Sequence, residues 1–498
     1  MEVVGKNYID GRWVDSLSGR EFESRSPADI ENLLGRFPRS DSRDVDAAVE
    51  AAARAYPSWR EVSRIRRAEY FDSFVQLVKR DQEELARLVS LECGKALNEG
   101  RADVVEGIHM AQYVFGTSRM AHGYVLSSEI AEKDAFIKRK PKGEMAVITP
   151  FNFPFAIPLW LIGPSVVEGN TVVFKPAEET ALVGHRLMEY FDRVGFPPGV
   201  INLVQGLGEE AGAPLVAHPE IDVVLFTGSY EVGSQIKRVC AEHSHKMAVC
   251  EMGGKNALLV LEDADLELAV RAGILSAFKT TGQRCVSAGR IIVDEKVFDE
   301  FARRLCAMAQ RLRIGDPLDE GVFMGPLVSE AGMRKVEFYN ELALEEGAEV
   351  LLEGGRLREP PHERGYFMSP FIYRMEPDGR KRVLMEEVFG PHVALIPVRG
   401  VEQAIEVYNA TEYGLALAVI TEDYRKARLI ERRCEFGLGY LNLPTIGAEV
   451  HLPFGGVKKS GTGMPSAAAL VDAVTHRVAW TVNHDREIKM AQGLSAEA

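Results

Sequence analysis

Short apolar segments alternate with amphipathic ones through the middle of the chain. Residues 145–149, 171–175, 201–204 and 223–226 are apolar runs that predict buried strands, and residues 180–194 predict a helix. This order predicts right-handed strand–helix–strand crossovers and hence a parallel sheet. Such sheets bind ligands at the carboxyl ends of their strands. We therefore expect a ligand site in the loops that follow these strands.

The same alternation returns in a second block, from about residue 254 to residue 455. The strands and helices predicted there are 257–260, 268–280, 290–293, 296–313 and 329–346. Before the first block, residues 45–57 and 66–120 predict amphipathic helices, because Leu and Val recur every three or four positions. The whole pattern predicts an α/β protein with two doubly wound, Rossmann-like domains.

Two segments depart from this alternation. Residues 126–147 contain a basic run bounded by Pro141 and Gly143, which predicts an extended excursion from the domain. Residues 474–482 alternate polar and apolar side chains and predict a strand. We expect these two segments to pair as a two-stranded β-flap.

Composition is that of a soluble globular protein, with 498 residues, 46% hydrophobic and 27% charged. The net charge of −14 disfavours nucleic acid or an anionic membrane as a partner. No apolar run approaches the roughly 18 residues of a membrane span, and the first residues lack a signal-peptide pattern. The six cysteines form no CxxC pair and no metal-like spacing, which predicts reduced thiols, no bound metal and a cytoplasmic setting.

The residues around one cysteine indicate that it is a candidate catalytic nucleophile. Cys285 follows Gly282-Gln283-Arg284, and Glu251 lies upstream of a Gly-Gly pair. A thiolate can attack a carbonyl carbon, and a carboxylate can activate the water that hydrolyses the resulting thioester. Asn152 lies between two prolines, so its amide and the Cys285 N–H are candidate oxyanion donors. The alternatives are a small buried cysteine and a turn asparagine.

Seven motifs in order give the chain a family resemblance. They are Pro150-Phe151-Asn152-Phe153-Pro154, Lys175-Pro176-Ala177-Glu178, Phe226-Thr227-Gly228-Ser229, Glu251-Met252-Gly253-Gly254-Lys255, Gly282-Gln283-Arg284-Cys285, Glu386-Glu387-Val388-Phe389-Gly390-Pro391 and Pro453-Phe454-Gly455-Gly456. Together they resemble the aldehyde dehydrogenase superfamily over nearly the whole chain. The resemblance implies a small-molecule aldehyde substrate, the catalytic set Cys285, Glu251 and Asn152, and a flap that assembles a homo-dimer or homo-tetramer.

A dinucleotide site is expected at the strand ends. Lys175 can donate to ribose hydroxyls and Glu178 can accept from them, and a carboxylate there repels a 2′-phosphate, so NAD is favoured over NADP. The start of a helix at Gly228-Ser229 offers N–H groups to a diphosphate, although it also reads as an ordinary N-cap. The resemblance adds the other expected cofactor contacts, Ile148, Thr149, Pro150, Gly208, Val232, Glu387 and Phe389.

Within the superfamily the resemblance is strongest to the antiquitin-type, α-aminoadipic semialdehyde dehydrogenases. Stretches that carry it include Leu88-Val89-Ser90-Leu91-Glu92, Pro444-Thr445-Ile446-Gly447-Ala448-Glu449 and the tail Ala491-Gln492-Gly493. It implies that Glu106 and Arg284 hold the amino-acid end of the substrate, with Phe153, Gly447 and Ala448 beside them. Alternatively, Arg284 points outward or pairs inside the protein, and the substrate is a simple or hydroxy-aldehyde. Leu161 stands where many relatives carry a proton-relaying lysine.

The predicted organisation is an NAD-binding domain of residues 1–125 and 148–253, a catalytic domain of 254–455, and an oligomerisation flap and tail of 126–147 and 466–498. Two other functions compete with aldehyde oxidation to a carboxylate. A CoA-acylating semialdehyde dehydrogenase would lack the water-activating glutamate, which is present here as Glu251. A non-catalytic structural or binding protein on this scaffold would have lost Cys285, Glu251 or Asn152.

Overall fold

The computed structural model describes residues 2–463 and 466–492. The end of the predicted tail, including Gly493, lies outside the described residues. The helices are α1 Ser42–Trp59, α2 Arg64–Arg80, α3 Gln82–Cys93, α4 Leu97–Thr117, α5 Ala156–Val167, α6 Ala181–Val194, α7 Ala213–Ala217, α8 Tyr230–Ala241, α9 Leu266–Phe278, α10 Phe298–Ala309, α11 Glu330–Glu345, α12 Arg382–Met385, α13 Gly400–Asn409 and α14 Tyr424–Arg433. Short 3₁₀ turns also occur at Glu178–Thr180, Lys279–Gly282 and Ala468–Asp472, and a π-helical turn occurs at Gly208–Gly212.

The strands are β1 Val3–Val4, β2 Asn7–Ile9, β3 Arg12–Val14, β4 Glu21–Ser26, β5 Asp29–Pro38, β6 Tyr124–Leu126, β7 Lys133–Pro141, β8 Glu144–Ile148, β9 Thr171–Lys175, β10 Ile201–Leu203, β11 Val223–Thr227, β12 Met247–Glu251, β13 Asn256–Val260, β14 Ala288–Asp294, β15 Glu349–Leu352, β16 Phe371–Arg374, β17 His392–Val398, β18 Tyr413–Gly414, β19 Ala416–Ile420, β20 Leu438–Leu441, β21 Pro453–Phe454, β22 Val457–Lys458, β23 Ser466–Ala467 and β24 Thr475–Asn483.

The first large sheet has seven strands in the order β12-β11-β8-β9-β10-β2-β3. The five strands from β12 to β10 are parallel, and β2 and β3 continue the sheet in antiparallel fashion. The predicted parallel sheet is therefore confirmed. Its central strands are buried along nearly their whole length, because helices cover both faces and leave no polar side.

The second large sheet also has seven strands, in the order β15-β16-β17-β14-β13-β19-β20. Only the edge strand β15 runs antiparallel to its neighbour. All five residues of β13 and all seven of β17 are buried between helix layers. The fold is thus the expected pair of doubly wound α/β units.

The flap differs from the prediction in two ways. It has three strands, in the order β24-β7-β6, and β24 pairs with β7 from Thr475–Pro141 to Asn483–Lys133. Glu144–Ile148 does not belong to it, although the predicted flap segment ran to residue 147, because this strand lies inside the first sheet. Pro141 ends the flap strand and Gly143, with φ of +139°, turns the chain back into the domain.

Two helix predictions also need correction. Residues 66–120 form parts of three helices, and α3 ends at Gly94, whose left-handed φ of +83° only glycine adopts readily. Helix α9 ends at Phe278, two residues before the predicted end, because Thr280 and Thr281 take left-handed φ values of +54° and +55°. All six cysteines are free thiols. Among the residues that the structure describes, no helix is both long and apolar enough to span a bilayer.

Helix α4 crosses the fully buried helix α5, and the close approach depends on Gly107. A Cβ at Gly107 would lie 2.7 Å from the Phe155 ring and 2.8 Å from Leu159. Gly116, in the last turn of α4, is exposed, and a Cβ there would meet nothing within 4 Å. Alanine substitutions at these two positions therefore distinguish the effect of helix propensity from the effect of packing within one helix.

We expect Gly107→Ala to lower the free energy of unfolding by about 1–3 kcal/mol through overpacking, and Gly116→Ala to leave it unchanged or raise it by up to about 1 kcal/mol. Urea unfolding followed by circular dichroism measures both. Equal shifts for the two variants would contradict the packing argument.

Candidate active site

A cavity of about 990 Å³ lies where loops from both large sheets meet. The residues that the sequence predicted as catalytic, cofactor-binding or substrate-binding all line it. The fold thus brings together side chains that are far apart in the sequence, and the geometry of each group can be described from its local structure.

The loop that carries Cys285 is held in an unusual backbone conformation. Thr280 and Thr281 lie in the left-handed region, and Gly282 follows with φ of +73°. A Cβ at Gly282 would lie 2.2 Å from the Gly390 carbonyl oxygen, so only glycine fits. This tight turn directs the end of α9 back toward the cavity.

Two asparagine side-chain amides donate hydrogen bonds to backbone carbonyls of this loop. The Asn256 Nδ2 donates to the Cys285 carbonyl at 2.6 Å and to the Ser287 carbonyl at 2.9 Å. The buried Asn152 Nδ2 donates to the Gln283 carbonyl at 2.9 Å. That contact engages one of the two Asn152 N–H groups, so the second remains available to an oxyanion beside the nucleophile.

The Cys285 thiol lies in a setting that favours its protonated form. Burial raises its pKa to about 12, and the Glu387 and Glu251 carboxylates add to the rise. Arg284 and the Val286 N–H lower it, but by less. The electropositive setting that a thiolate needs is therefore not provided by the pocket itself, and a base has to take the proton.

Glu251 ends strand β12 and is buried. Its Oε2 accepts a hydrogen bond from the Gly456 N–H at 3.3 Å, and Oε1 is buried with no partner among the described residues. Burial raises the pKa of this carboxyl well above its usual value. A carboxylate with a raised pKa and a free oxygen is suited to general base catalysis near neutral or alkaline pH.

Glu387 reaches the same cavity because the backbone opposite it is glycine. A Cβ at Gly253 would lie 2.1 Å from a Glu387 carboxylate oxygen, and Glu387 Oε1 accepts from the Gly254 N–H at 2.9 Å. Burial raises the Glu387 pKa to about 7. Phe389, with φ of +65°, places its ring edge-on to Phe151 at 5.9 Å between centroids.

The far part of the cavity is formed by the ends of β8 and β9. Ile148 ends β8, Thr149 and Pro150 follow it, and the Thr149 N–H donates to the Lys175 carbonyl at 3.3 Å. Lys175 Nζ pairs with Glu178 at 2.8 Å. Burial raises the Glu178 pKa, but the ion pair with Lys175 outweighs it and lowers the pKa overall, so the carboxylate stays ionised.

Residues that follow β10 and β11 complete this wall of the cavity. The Gly208 backbone also contributes to lowering the Glu178 pKa, so the loop after β10 lies close to the loop after β9. Ser229 caps helix α8, with its Oγ accepting from the Val232 N–H at 3.3 Å. The first turn of this helix leaves further N–H groups free for an anion. Gly228 lies between β11 and this cap, and its N–H donates to the Glu251 carbonyl at 3.0 Å.

The opposite part of the cavity is formed by helix α4 and the loop at Gly447 and Ala448. Glu106 and Ala448 also line a smaller cavity of about 430 Å³ with His109 and Tyr113. The two cavities therefore adjoin at Glu106. Burial is the main cause that raises the Glu106 pKa to about 8, with the Asp103 carboxylate adding to it.

Arg284 is paired inside the protein. Its Nη2 lies 2.7 Å from Glu99 Oε1, and its Nε donates to Thr280 Oγ1 at 2.7 Å. The guanidinium also lies over the Phe153 ring at 5.0 Å, and Lys95 lies on the same ring at 3.9 Å. The sequence alternative of an internally paired arginine is the one found.

Sequence reasoning missed Glu99 and Asn256, which hold the nucleophile loop. Glu99, Asp103 and Glu106 recur at spacings of four and three residues on helix α4, which predicts that they share one face of the helix. That pattern was available in the sequence. Nothing in the sequence around Asn256 distinguishes it from a strand residue.

Comparison with known proteins gives the family. Residues 13–479 match the model of the aldehyde dehydrogenase family. The α-ketoglutaric semialdehyde dehydrogenase of Bacillus subtilis (strain 168) is 36% identical over 458 residues, covering 92% of this chain and 93% of that protein.

Solved structures agree. The betaine aldehyde dehydrogenase of Staphylococcus aureus in complex with NAD+ is 31% identical, with a TM-score of 0.93 over 97% of this chain and 95% of that one. The NAD-dependent aldehyde dehydrogenase of Sinorhizobium meliloti is also 31% identical, with a TM-score of 0.93 over 99% and 97% of the two chains. The protein therefore belongs to the aldehyde dehydrogenase family.

Proposed function

We propose that this protein oxidises an aldehyde to a carboxylate with NAD, through a thioester on Cys285. One observation carries the proposal. Cys285, Glu251 and Asn152 line a single cavity with the strand-end loops of the first sheet. That combination joins a nucleophile, a base and an oxyanion donor to a surface suited to a dinucleotide.

The residues around the far part of the cavity fit NAD. Lys175 and Glu178 would hold the adenosine ribose, the N-terminus of α8 at Ser229 the diphosphate, and Glu387 the nicotinamide ribose. When bound, NAD supplies the hydride acceptor. The ionised Glu178 carboxylate repels a 2′-phosphate, which favours NAD over NADP. The S. aureus and S. meliloti relatives, described as an NAD+ complex and as NAD-dependent, support the same choice.

The chemistry of the chain itself begins with the loss of the Cys285 proton to a base. The carboxylate of Glu251 is the candidate, because its Oε1 is free of partners in the described part of the chain. The thiolate attacks the aldehyde carbon, and the second Asn152 N–H and the Cys285 backbone N–H stabilise the oxyanion. One such donor is worth about 10²–10³ in rate.

The second stage is hydrolysis of the thioester left after oxidation. Glu251 first releases the Cys285 proton to solvent and then takes a proton from water. The hydroxide adds to the thioester carbon, the Cys285 thiolate leaves, and the acid that forms loses its proton to give the carboxylate. A CoA-acylating reaction is disfavoured by the presence of this base. A purely structural protein is disfavoured because the nucleophile, base and oxyanion donor all remain.

We expect Cys285→Ala to abolish aldehyde-dependent reduction of NAD, and Glu251→Gln to slow turnover by about 10²–10⁴ because thioester hydrolysis loses its base. Rapid-mixing measurement of NADH, with NADP run in parallel, would follow both variants over a panel of aldehydes. Cys306→Ala, which removes a half-buried thiol of α10 outside the cavity, is the control and should match the wild type. Unchanged turnover in Cys285→Ala would overturn the mechanism.

Activity should rise with pH. The thiolate and the carboxylate are the working forms, and burial raises both the Cys285 and the Glu251 pKa, so both forms are lost as the pH falls. We expect kcat/KM, and the rate of Cys285 alkylation by iodoacetamide, to increase from about pH 6 to about pH 10. A profile that is flat over this range would show that the pocket does not hold these groups protonated.

We also infer that the flap joins copies of this chain. All three residues of β6 are exposed, Val125 to 72%, and Trp480 on β24 is 58% exposed. A strand edge that carries exposed apolar side chains is unusual on a monomer, and a second copy presents the same surface in return.

Val125→Glu should shift the protein to a smaller species in analytical ultracentrifugation, because a charge enters the apolar contact. Leu17→Glu, at a position that is 60% exposed and far from the flap in sequence, is the matched control. A monomeric wild type, or the same shift in both variants, would contradict this inference.

A further inference from the structure

The guanidinium of Arg284 is the cation nearest Cys285 in sequence, but it already forms an ion pair with another side chain of the protein. Glu99 Oε1 lies 2.7 Å from Arg284 Nη2, and both side chains are largely buried, 5% and 14% exposed. Charged pairs removed from water in this way bind each other far more strongly than surface pairs do. The charge of Arg284 is therefore already balanced before any ligand arrives.

Glu99 is held so that it cannot swing away from this pair. Its Oε1 also accepts from Thr280 Oγ1 at 2.6 Å, and its Oε2 accepts from the Thr280 N–H at 3.1 Å. Burial raises the Glu99 pKa, but Arg284 and Lys279 outweigh it and lower the pKa overall, so the carboxylate is ionised at neutral pH.

Among the described residues, the other charges at this end of the cavity leave no unpaired cation in its wall. Lys95 Nζ pairs with Asp103 at 3.1 Å, and both side chains are fully buried. Glu106 lines the cavity and adds a carboxyl group of its own. Lys279, whose charge also acts on Glu99, does not line the cavity. The three cations and three carboxyl groups at this end balance when Glu106 is ionised and leave one positive charge when it is protonated.

We propose that Glu99 is a specificity-determining residue that neutralises Arg284 and so selects against aldehydes whose tail carries a second carboxylate. The inference rests on the proposed aldehyde oxidation and names the substrate class of that same site. Glu99 acts through Arg284, which lines the cavity. The favoured tail is uncharged or carries an amine, since Glu106 can accept a hydrogen bond from an amine, whereas a carboxylate would find Arg284 already paired.

The test compares two aldehydes of the same shape that differ in charge, 4-oxobutanoate and 4-oxopentanal. The quantity measured is the ratio of their kcat/KM values in one enzyme preparation, which does not depend on the fraction of active protein. A purely structural loss in the nucleophile loop would slow both aldehydes alike and leave the ratio unchanged.

In the wild type we expect kcat/KM to favour 4-oxopentanal. Glu99→Gln keeps an oxygen that can accept from Thr280 but removes the negative charge, so Arg284 becomes available to a carboxylate. The ratio should move toward 4-oxobutanoate by about tenfold to a hundredfold, the worth of one hydrogen bond to a charged group. Adding Arg284→Gln to Glu99→Gln should reverse that gain. Glu320→Gln removes a carboxylate from an exposed arginine pair and should leave the ratio as it is.

The outcomes separate this inference from the proposed function. If the wild type oxidises 4-oxobutanoate as well as 4-oxopentanal, or if Glu99→Gln leaves the ratio unchanged, Glu99 does not set specificity even though aldehyde oxidation stands. If the Glu99→Gln gain survives the added Arg284→Gln, the effect does not pass through Arg284. If the wild type oxidises no aldehyde of a broad panel with either dinucleotide, the proposed function itself fails, and this inference with it.

Discussion

The nucleophile loop depends on a carboxylate that comes from the other half of the molecule. Glu99 lies on helix α4, which packs with the first sheet's helices, and it accepts two hydrogen bonds from Thr280, 181 residues later. Thr280 has a left-handed backbone that costs about 1–3 kcal/mol for a residue with a side chain. The bonds from a buried, ionised carboxylate are of the size needed to offset that cost. The loop conformation is therefore a property of the contact between the two units.

Burial in the cavity opposes the ionisation of the side chains that the proposed reaction uses. It raises the pKa of Cys285, Glu251, Glu387 and Glu106, each of which is less stable as an anion in this cavity. The proposed reaction uses two of these groups, Cys285 and Glu251, in their deprotonated forms. The cavity thus favours the thiol form of Cys285, which reacts more slowly with alkylating agents and oxidants than the thiolate does. In the proposed reaction a base has to create the thiolate.

The sequence predicted the parts of the site that follow from sheet geometry. Lys175 and Ser229 end or closely follow predicted parallel strands of one sheet, and parallel strands bring their carboxyl ends to one edge. Glu251 is expected from its motif, and the structure places it at the end of a further parallel strand of that sheet. The partners of Arg284 could not be derived this way, because the pair with Glu99 joins residues 185 positions apart in different units. The electrostatic setting of Cys285 was also out of reach, since burial and the nearby carboxylates depend on the folded cavity. In the flap, the short strand β6 gave no pattern of its own, and the sequence did not reveal the third strand.

Specificity in this arrangement depends on groups behind the cavity wall as well as on those that line it. Arg284 contributes to the wall, but Glu99 behind it balances its positive charge. Thr280 and the Phe153 ring hold its orientation. A change at Glu99 would alter the potential felt by a substrate tail without changing the shape of the wall. Shape and charge can therefore vary independently on this fold, so related proteins with the same nucleophile and the same strand-end loops can accept tails of opposite charge.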